Sequence, residues 1–193
     1  TIVGYLNYYK GNIAFQKLEI IRAIKHIENS IEQFQIAQKQ QEAYKRYLLL
    51  VQILLYDQQY HKAEIFLNKI NPLEKQVRDD EDVLLADCLR LFIRAIQNDL
   101  SSTGGEQILK NLQGTQNKND CHFIWWYLTL SFSIIGKNKI SKRCLKESKK
   151  ILSRKVAKIT DESHKDGFIN NNILHHYSLT VMPYLNHPFL QKV

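Results

Sequence analysis

Between residues 44 and 70 the apolar positions fall into two registers separated by a polar break. Tyr44, Tyr47, Leu48, Val51, Leu54 and Leu55 recur at intervals of three and four, one face of a helix. After "DQQ", Tyr60, Ala63, Phe66, Leu67 and Ile70 do the same. The triplet has nothing apolar to bury, so a break there costs little. The pattern predicts two helices packed on each other, with Ala63 small because their axes approach closely at that point. Asn71 is placed to cap the next segment, with Pro72 at its first helical position.

The same spacing occurs upstream. Gly11, Ala14, Leu18, Ile20, Ala23, Ile27 and Ile31 run like Val51, Leu54, Gln58, Tyr60, Ala63, Leu67 and Asn71. The two alanines therefore stand about 40 residues apart, a period found in helical solenoids. Downstream, "DDEDVLLADCLRLFIRAIQND" predicts a helix capped by Asp79 or Asp80 with acids in its opening turn. "SSTGGEQILKNL" predicts a short second helix entered at Ser102 or Thr103, and "GTQNKND" a loop. Asp120 then leads the apolar helix "CHFIWWYLTLSFSIIG", and "KNK" turns the chain into "ISKRCLKESKKILSRKVAKI". In that pair Ser131 is the expected small residue, and Cys144 takes the alanine's role if the turn is one residue longer. Asp161 is expected to cap a short helix reaching Phe168, followed by an irregular segment.

A small residue in the first helix of a pair (Gly11, Val51) and an alanine early in the second (Ala23, Ala63) resemble the tetratricopeptide (TPR) family. The departures are Gln58 opposite Leu18, a stretched period and missing signature aromatics. The stretch "KITDESHKDGFINNNILHH" is similar to the end of TPR-like arrays in large multidomain signalling ATPases and soluble adenylyl cyclase-like proteins. The matching positions are Ile159, Asp161, Phe168, Ile169, Asn171 and His175.

Composition agrees with a helical fold. Hydrophobic residues make up 44 % of the 193, and only 3 prolines and 7 glycines occur, too few for the many turns of a sheet protein. Cys88, Cys121 and Cys144 form no CxxC pair and suit buried free thiols in a reducing compartment. The longest mostly apolar run is too short for the roughly 20 residues of a membrane span. The chain opens "TIVGYLNYYK" without methionine or a basic leader. A segment of a longer, cytoplasmic protein is expected.

Candidate chemistry is sparse. His175, His176 and His187 invite a metal, but adjacent helical residues point about 100° apart, and H-E-x-x-H is absent. "STGG" lacks the Lys-Ser/Thr of a phosphate loop, and the acids at 79–82 are explained by a helix start. No nucleophile motif occurs. No catalytic residue, cofactor or metal is expected. Phe123, Trp125, Trp126 and Tyr127 cannot all face one way on a helix; burial between repeats is expected over a ligand-stacking site.

Charge is more informative. From Lys137 to Lys158 ten bases face one acid, Glu147, giving +9 where the whole chain carries +8; the remainder sums to −1. Ile140, Cys144, Ile151, Leu152 and Ile159 form the inner stripe, which leaves Lys139, Lys142, Arg143, Lys146, Lys149, Lys150 and Arg154 as candidate partner-binding residues. Such a face docks an acidic protein segment or phosphates, or is simply solvated.

The expectation is an all-α, right-handed superhelix of about four antiparallel helix pairs, a TPR-like solenoid over residues 1–159. A C-terminal capping helix and tail follow over 160–193. Its expected role is a non-catalytic protein–protein interaction or scaffold module. The alternatives are a regulatory or sensor segment of a multidomain signalling enzyme (cyclase or NTPase), and a nucleic-acid-binding helical repeat using 137–158.

Overall fold

A computed structural model of the chain describes residues 1–76, 80–99, 102–114, 121–170 and 175. Among these residues there are nine α-helices and no strand: α1 (Ile2–Gln16), α2 (Ile20–Ile36), α3 (Gln40–Tyr56), α4 (Tyr60–Ile70), α5 (Asp80–Ile96), α6 (Ser102–Gly114), α7 (His122–Ile134), α8 (Asn138–Ala157) and α9 (Glu162–Asn170). A short 3-10 helix, Asn71–Gln76, follows α4. The all-α expectation holds. The chain divides into two compact units, Thr1–Ala86 and Asp87–Val193.

One turn is used five times. Leu18, Gln38, Gln58, Asn98 and Gly136 each follow a helix by two residues and take left-handed backbone, with φ of 60°, 55°, 60°, 57° and 75°. Each amide donates to the carbonyl three residues back, as Leu18 N–H to Phe15 O at 2.9 Å. The next residue donates to the carbonyl five back, as Glu19 to Ala14, Lys39 to Phe34, Gln59 to Leu54, Asp99 to Arg94 and Lys137 to Phe132, at 2.8–2.9 Å. These paired bonds satisfy the carbonyls that a helix end leaves open. In four of the turns the residue after the left-handed one also opens the next helix. The carbonyls of Glu19, Lys39, Gln59 and Lys137 accept from the amides of Ala23, Ala43, Ala63 and Ser141. This resolves the mismatch of Leu18 with Gln58: both are turn residues, and Leu18 is exposed instead of belonging to an inner stripe.

In the first unit the fifth residue after each left-handed one is an alanine. Ala23, Ala43 and Ala63 are fully buried and stand 20 residues apart, so the period is half of that read from Ala23 and Ala63 alone. Gly11 lies where α1 and α2 cross: a Cβ there would stand 2.5 Å from Ile27 Cδ1 and 3.3 Å from Ala23 O. Toward the other end of the pair Ser30 Oγ donates to Gly4 O at 2.7 Å, so the two helices run antiparallel. The predicted stripe of α3 is buried throughout. Ala43, Leu50 and Ile53 are buried as well, and α3 is enclosed on nearly all sides. Its one buried charge, Arg46, is accounted for by Glu42 at 2.8 Å and by the rings of Tyr8, Phe34 and Tyr5 at 4.3, 5.0 and 5.4 Å.

In the second unit α6 meets α5 at Gly105, where a Cβ would lie 3.3 Å from Leu91 Cδ2 and 2.8 Å from Phe132 Cζ of α7. Phe92 and Tyr127 rings pack at 5.6 Å. Trp126 and Tyr127 are fully buried, while Phe123 and Trp125 are half-buried, a division the helical geometry requires. α8 lies on α7 in the manner of α2 on α1. Counted from Gly136, Ser141 holds the place of Ala23 and Ser148 that of Ser30. Ser141 Oγ donates to Thr129 O at 2.8 Å and Ser148 Oγ to His122 O at 3.1 Å.

Four sequence expectations are corrected. The turn into α8 is Ile135–Gly136–Lys137, and Asn138 is already helical, so Ser141 and not Cys144 takes the alanine's role. Thr129 faces it, while Ser131 returns its hydroxyl to Tyr127 O of its own helix at 2.7 Å. Asp80 is the first residue of α5 and not its cap. Cys121 precedes α7. Asp79, residues 115–120 including Asp120, Asn171, His176 and His187 lie outside the described residues. Asp161 caps α9 as expected: its Oδ1 accepts from the His164 amide at 2.9 Å and from Ser163 Oγ at 2.6 Å.

Candidate functional site

α8 is twenty residues long, and a narrow strip of it is used for packing. Ser141, Cys144, Ser148, Ile151 and Leu152 are buried, and Ile140 and Ile159 are half-buried. The predicted inner stripe therefore gains two serines, which the sequence pattern counts as polar. Their hydroxyls are satisfied by α7 carbonyls, so a small polar side chain sits in the core without penalty. Because these contacts fix the helix's rotation, the rest of its circumference is left to solvent.

The structure places all seven candidate residues on that side. Lys139, Lys142, Arg143, Lys146, Lys150 and Arg154 are exposed and Lys149 is half-buried. With about 100° per residue, Lys139, Arg143, Lys146, Lys150 and Arg154 share an arc of about 80°, with Lys142 and Lys149 at its edge. Lys137 and Lys158 are exposed farther round, and Lys155 is half-buried. The helix's one carboxylate, Glu147, lies 3.8 Å from Lys150. Arg154 and Lys155 also sit in the last turn, where the helix end favours cations. The face can hold a series of anionic groups. Two guanidinium forks among lysines suit carboxylates and phosphates, while nothing aromatic interleaves to stack bases.

A second cluster was not legible in the sequence. His122 opens α7, and His175, 53 residues later, packs its ring at 4.8 Å edge-on. Phe123 and Phe168 flank His175 at 5.6 and 4.4 Å, and His175 Nδ1 lies 3.0 Å from Phe168 O. Burial, then His175 and Lys155, lowers the His122 pKa to about 2; burial foremost lowers that of His175 too. Both rings are neutral, so the Nδ1 proton of His175 is free to be donated to the Phe168 carbonyl. No nucleophile or carboxylate pair stands beside them to make this a catalytic relay. Burial holds Cys88 well above the usual thiol range and Cys144 at about 12, so both stay protonated and unreactive. Among the described residues no group of three or more His, Cys, Asp or Glu could hold a metal ion. Nor is any helix there long and apolar enough to cross a membrane.

Comparison with known proteins finds no matching family model, curated protein or solved structure.

Proposed function

We propose that this chain is a non-catalytic, TPR-like interaction module that holds an acidic protein segment against the outer face of α8. The observation that carries the reading is the disposition of charge. Five bases share one arc of a helix whose opposite side supplies all its packing, and one carboxylate serves the whole helix. Like charges so concentrated repel one another, and an acidic partner relieves that repulsion. Turns centred on 18, 58, 98 and 136, together with the close Gly11–Ala23 and Thr129–Ser141 crossings, support four helix pairs stacked as a right-handed superhelix. A second reading is a regulatory segment of a multidomain signalling enzyme. It draws on Phe168 and His175, two positions of that resemblance that meet in space.

The test is reversal of Lys142, Lys146 and Lys149 to Glu, with binding of a polyglutamate peptide and of single-stranded nucleic acid measured at several salt concentrations. Helical circular dichroism stays unchanged, and polyglutamate binding is lost together with its salt dependence. Unchanged binding by the triple variant refutes the assignment. A parent protein that prefers nucleic acid with a steep salt slope transfers the face to the nucleic-acid alternative.

A further inference from the structure

α1 carries two functions on opposite sides. Gly4 and Gly11, two turns apart, let α2 approach its inner side. On the outer side Ile2, Leu6, Tyr9 and Ile13 follow at steps of four, three and four, and all lie in solvent, joined by Ile21 of α2. At these steps the side chains form one continuous apolar stripe.

The helix forty residues further on shows what such a face does. The positions equivalent to Val3, Leu6, Lys10 and Ile13 are Ala43, Arg46, Leu50 and Ile53 of α3. Arg46 and Ile53 are 6 % and 0 % exposed, whereas Leu6 and Ile13 are 50 % and 56 % exposed. The cover over α3 comes from α1 and α2: Tyr8 and Phe34 flank the Arg46 guanidinium, and Gln35 Nε2 donates to Tyr47 Oη at 3.2 Å. The outer side of α1 is thus the face that α3 covers with a helix, displayed uncovered.

Its charged margin selects the occupant. Ile13 borders an open cleft lined also by Lys10, Ala14, Lys17, Glu19, Arg22 and His26. The one acid there, Glu19, is 2.8 Å from Arg22. α1 itself contains no Asp or Glu. A second copy seated by a two-fold axis would set Lys10 and Lys17 against their own equivalents, a repulsive pairing. We infer that the outer face of α1 docks an amphipathic helix of another protein, apolar along one stripe and acidic at the end that meets the Lys10–Lys17 cleft.

The probe is a fluorescein-labelled peptide with the sequence of residues 20–36, the helix that covers α3, carrying R22E and K25E. If it seats antiparallel on α1 as α2 does on α3, those acids fall beside the cleft. Titrated against the full chain and followed by anisotropy, it binds saturably at one peptide per chain. The unaltered peptide binds several-fold more weakly, and high salt removes the difference. Replacing Leu6 and Ile13 together by Lys weakens both peptides by about tenfold or more, because the apolar area they bury is lost. The same loss follows with Leu6→Gln and Ile13→Gln, which add no charge. Lys10→Glu with Lys17→Glu weakens the acidic peptide alone. No saturable binding by the parent, or binding that persists in both Leu6/Ile13 variants, overturns the inference. So does sedimentation showing a dimer of the chain that the Leu6/Ile13 variants dissociate, which would assign the face to a second copy.

Discussion

Gly11→Ala adds one methyl group where the first unit has least room for it. The new carbon would stand 2.5 Å from Ile27 Cδ1, 2.8 Å from Ile27 Cγ1 and 3.3 Å from the carbonyl oxygen of Ala23. Ile27 is fully buried and has no solvent to turn into; the Ala23 carbonyl belongs to a helix and cannot yield alone. Two effects oppose each other. Alanine in a helix interior is favoured over glycine by about 1 kcal/mol, while overpacking a filled core costs about 1–3 kcal/mol. The single variant should lose about 0–2 kcal/mol, too broad a range to be diagnostic. Its coupling to Ile27→Ala is diagnostic. Alone, Ile27→Ala removes a buried side chain and costs about 2–5 kcal/mol. With Gly11→Ala present, the added methyl occupies part of the vacated space, and its clash has gone. The double variant should therefore be more stable than the sum of the singles by about 1–3 kcal/mol. Urea unfolding followed by far-ultraviolet circular dichroism supplies all four corners, provided the slopes agree. Additivity to within about 0.5 kcal/mol would refute a close crossing at Gly11.

The turns offer a test of opposite sign: Leu18→Gly relieves a leucine held at φ 60° and should stabilise by about 0.5–1 kcal/mol, while Gly136→Ala at φ 75° should cost about 1 kcal/mol, both read from thermal melts. Ala43→Leu and Ala63→Leu each place three carbons at a fully buried helix crossing and should cost about 1–3 kcal/mol; melts matching the parent would contradict the 20-residue period. For His122 the folded pKa, about 2, lies below the unfolded 6.5, so the unfolded chain holds the extra proton. Its contribution is complete above about pH 6.5 and drains as pH falls, by about 2 kcal/mol at pH 5. His122→Phe should remove one proton's worth of that slope in urea midpoints between those pH values, and an unchanged slope would show that the ring is not buried neutral.

How much of this was written in the sequence depends on the range of the interaction. Helical stripes were legible because burial of one side imposes a three-to-four spacing on Tyr44 to Leu55 and on Ala63 to Ile70. The basic face was legible for the complementary reason: Lys139 to Arg154 carry charges that cannot be buried unpaired, so they mark solvent wherever the helix goes. The 20-residue period was hidden because Ala43 lies in a helix buried nearly all round, where one small apolar residue gives no signal. The turns were hidden because Leu18, Gln38 and Gln58 do what glycine does at Gly136. His122 and His175 meet across 53 positions, and no local pattern announces such a contact.

The two best-described pairs show what the fold conserves in place of residue type. At one crossing Gly11 faces Ala23 and neither has a polar side chain; at its equivalent Thr129 faces Ser141, and the serine hydroxyl is taken up by the threonine carbonyl. A turn or two further along, Ser30 and Ser148 make the same bond to the carbonyls of Gly4 and His122, although glycine and histidine share nothing as side chains. The position demands a small group with no unsatisfied hydrogen-bonding atom on the second helix, and only a backbone carbonyl on the first. Histidine is therefore free to occupy the site of a glycine, and its ring, which plays no part in the helix crossing, is available to clasp His175. The clasp is an addition to the repeat and not a departure from it. Replacing Ser148 by alanine should weaken the α7–α8 crossing by about 1 kcal/mol or more, since it leaves the buried His122 carbonyl without that donor, and Ser30→Ala should do the same to α1–α2. Equal losses in the two variants, measured by urea unfolding, would express one packing rule acting through two unlike sets of residues; a loss confined to Ser30→Ala would show that the His122–His175 contact, and not the serine, holds the second pair together.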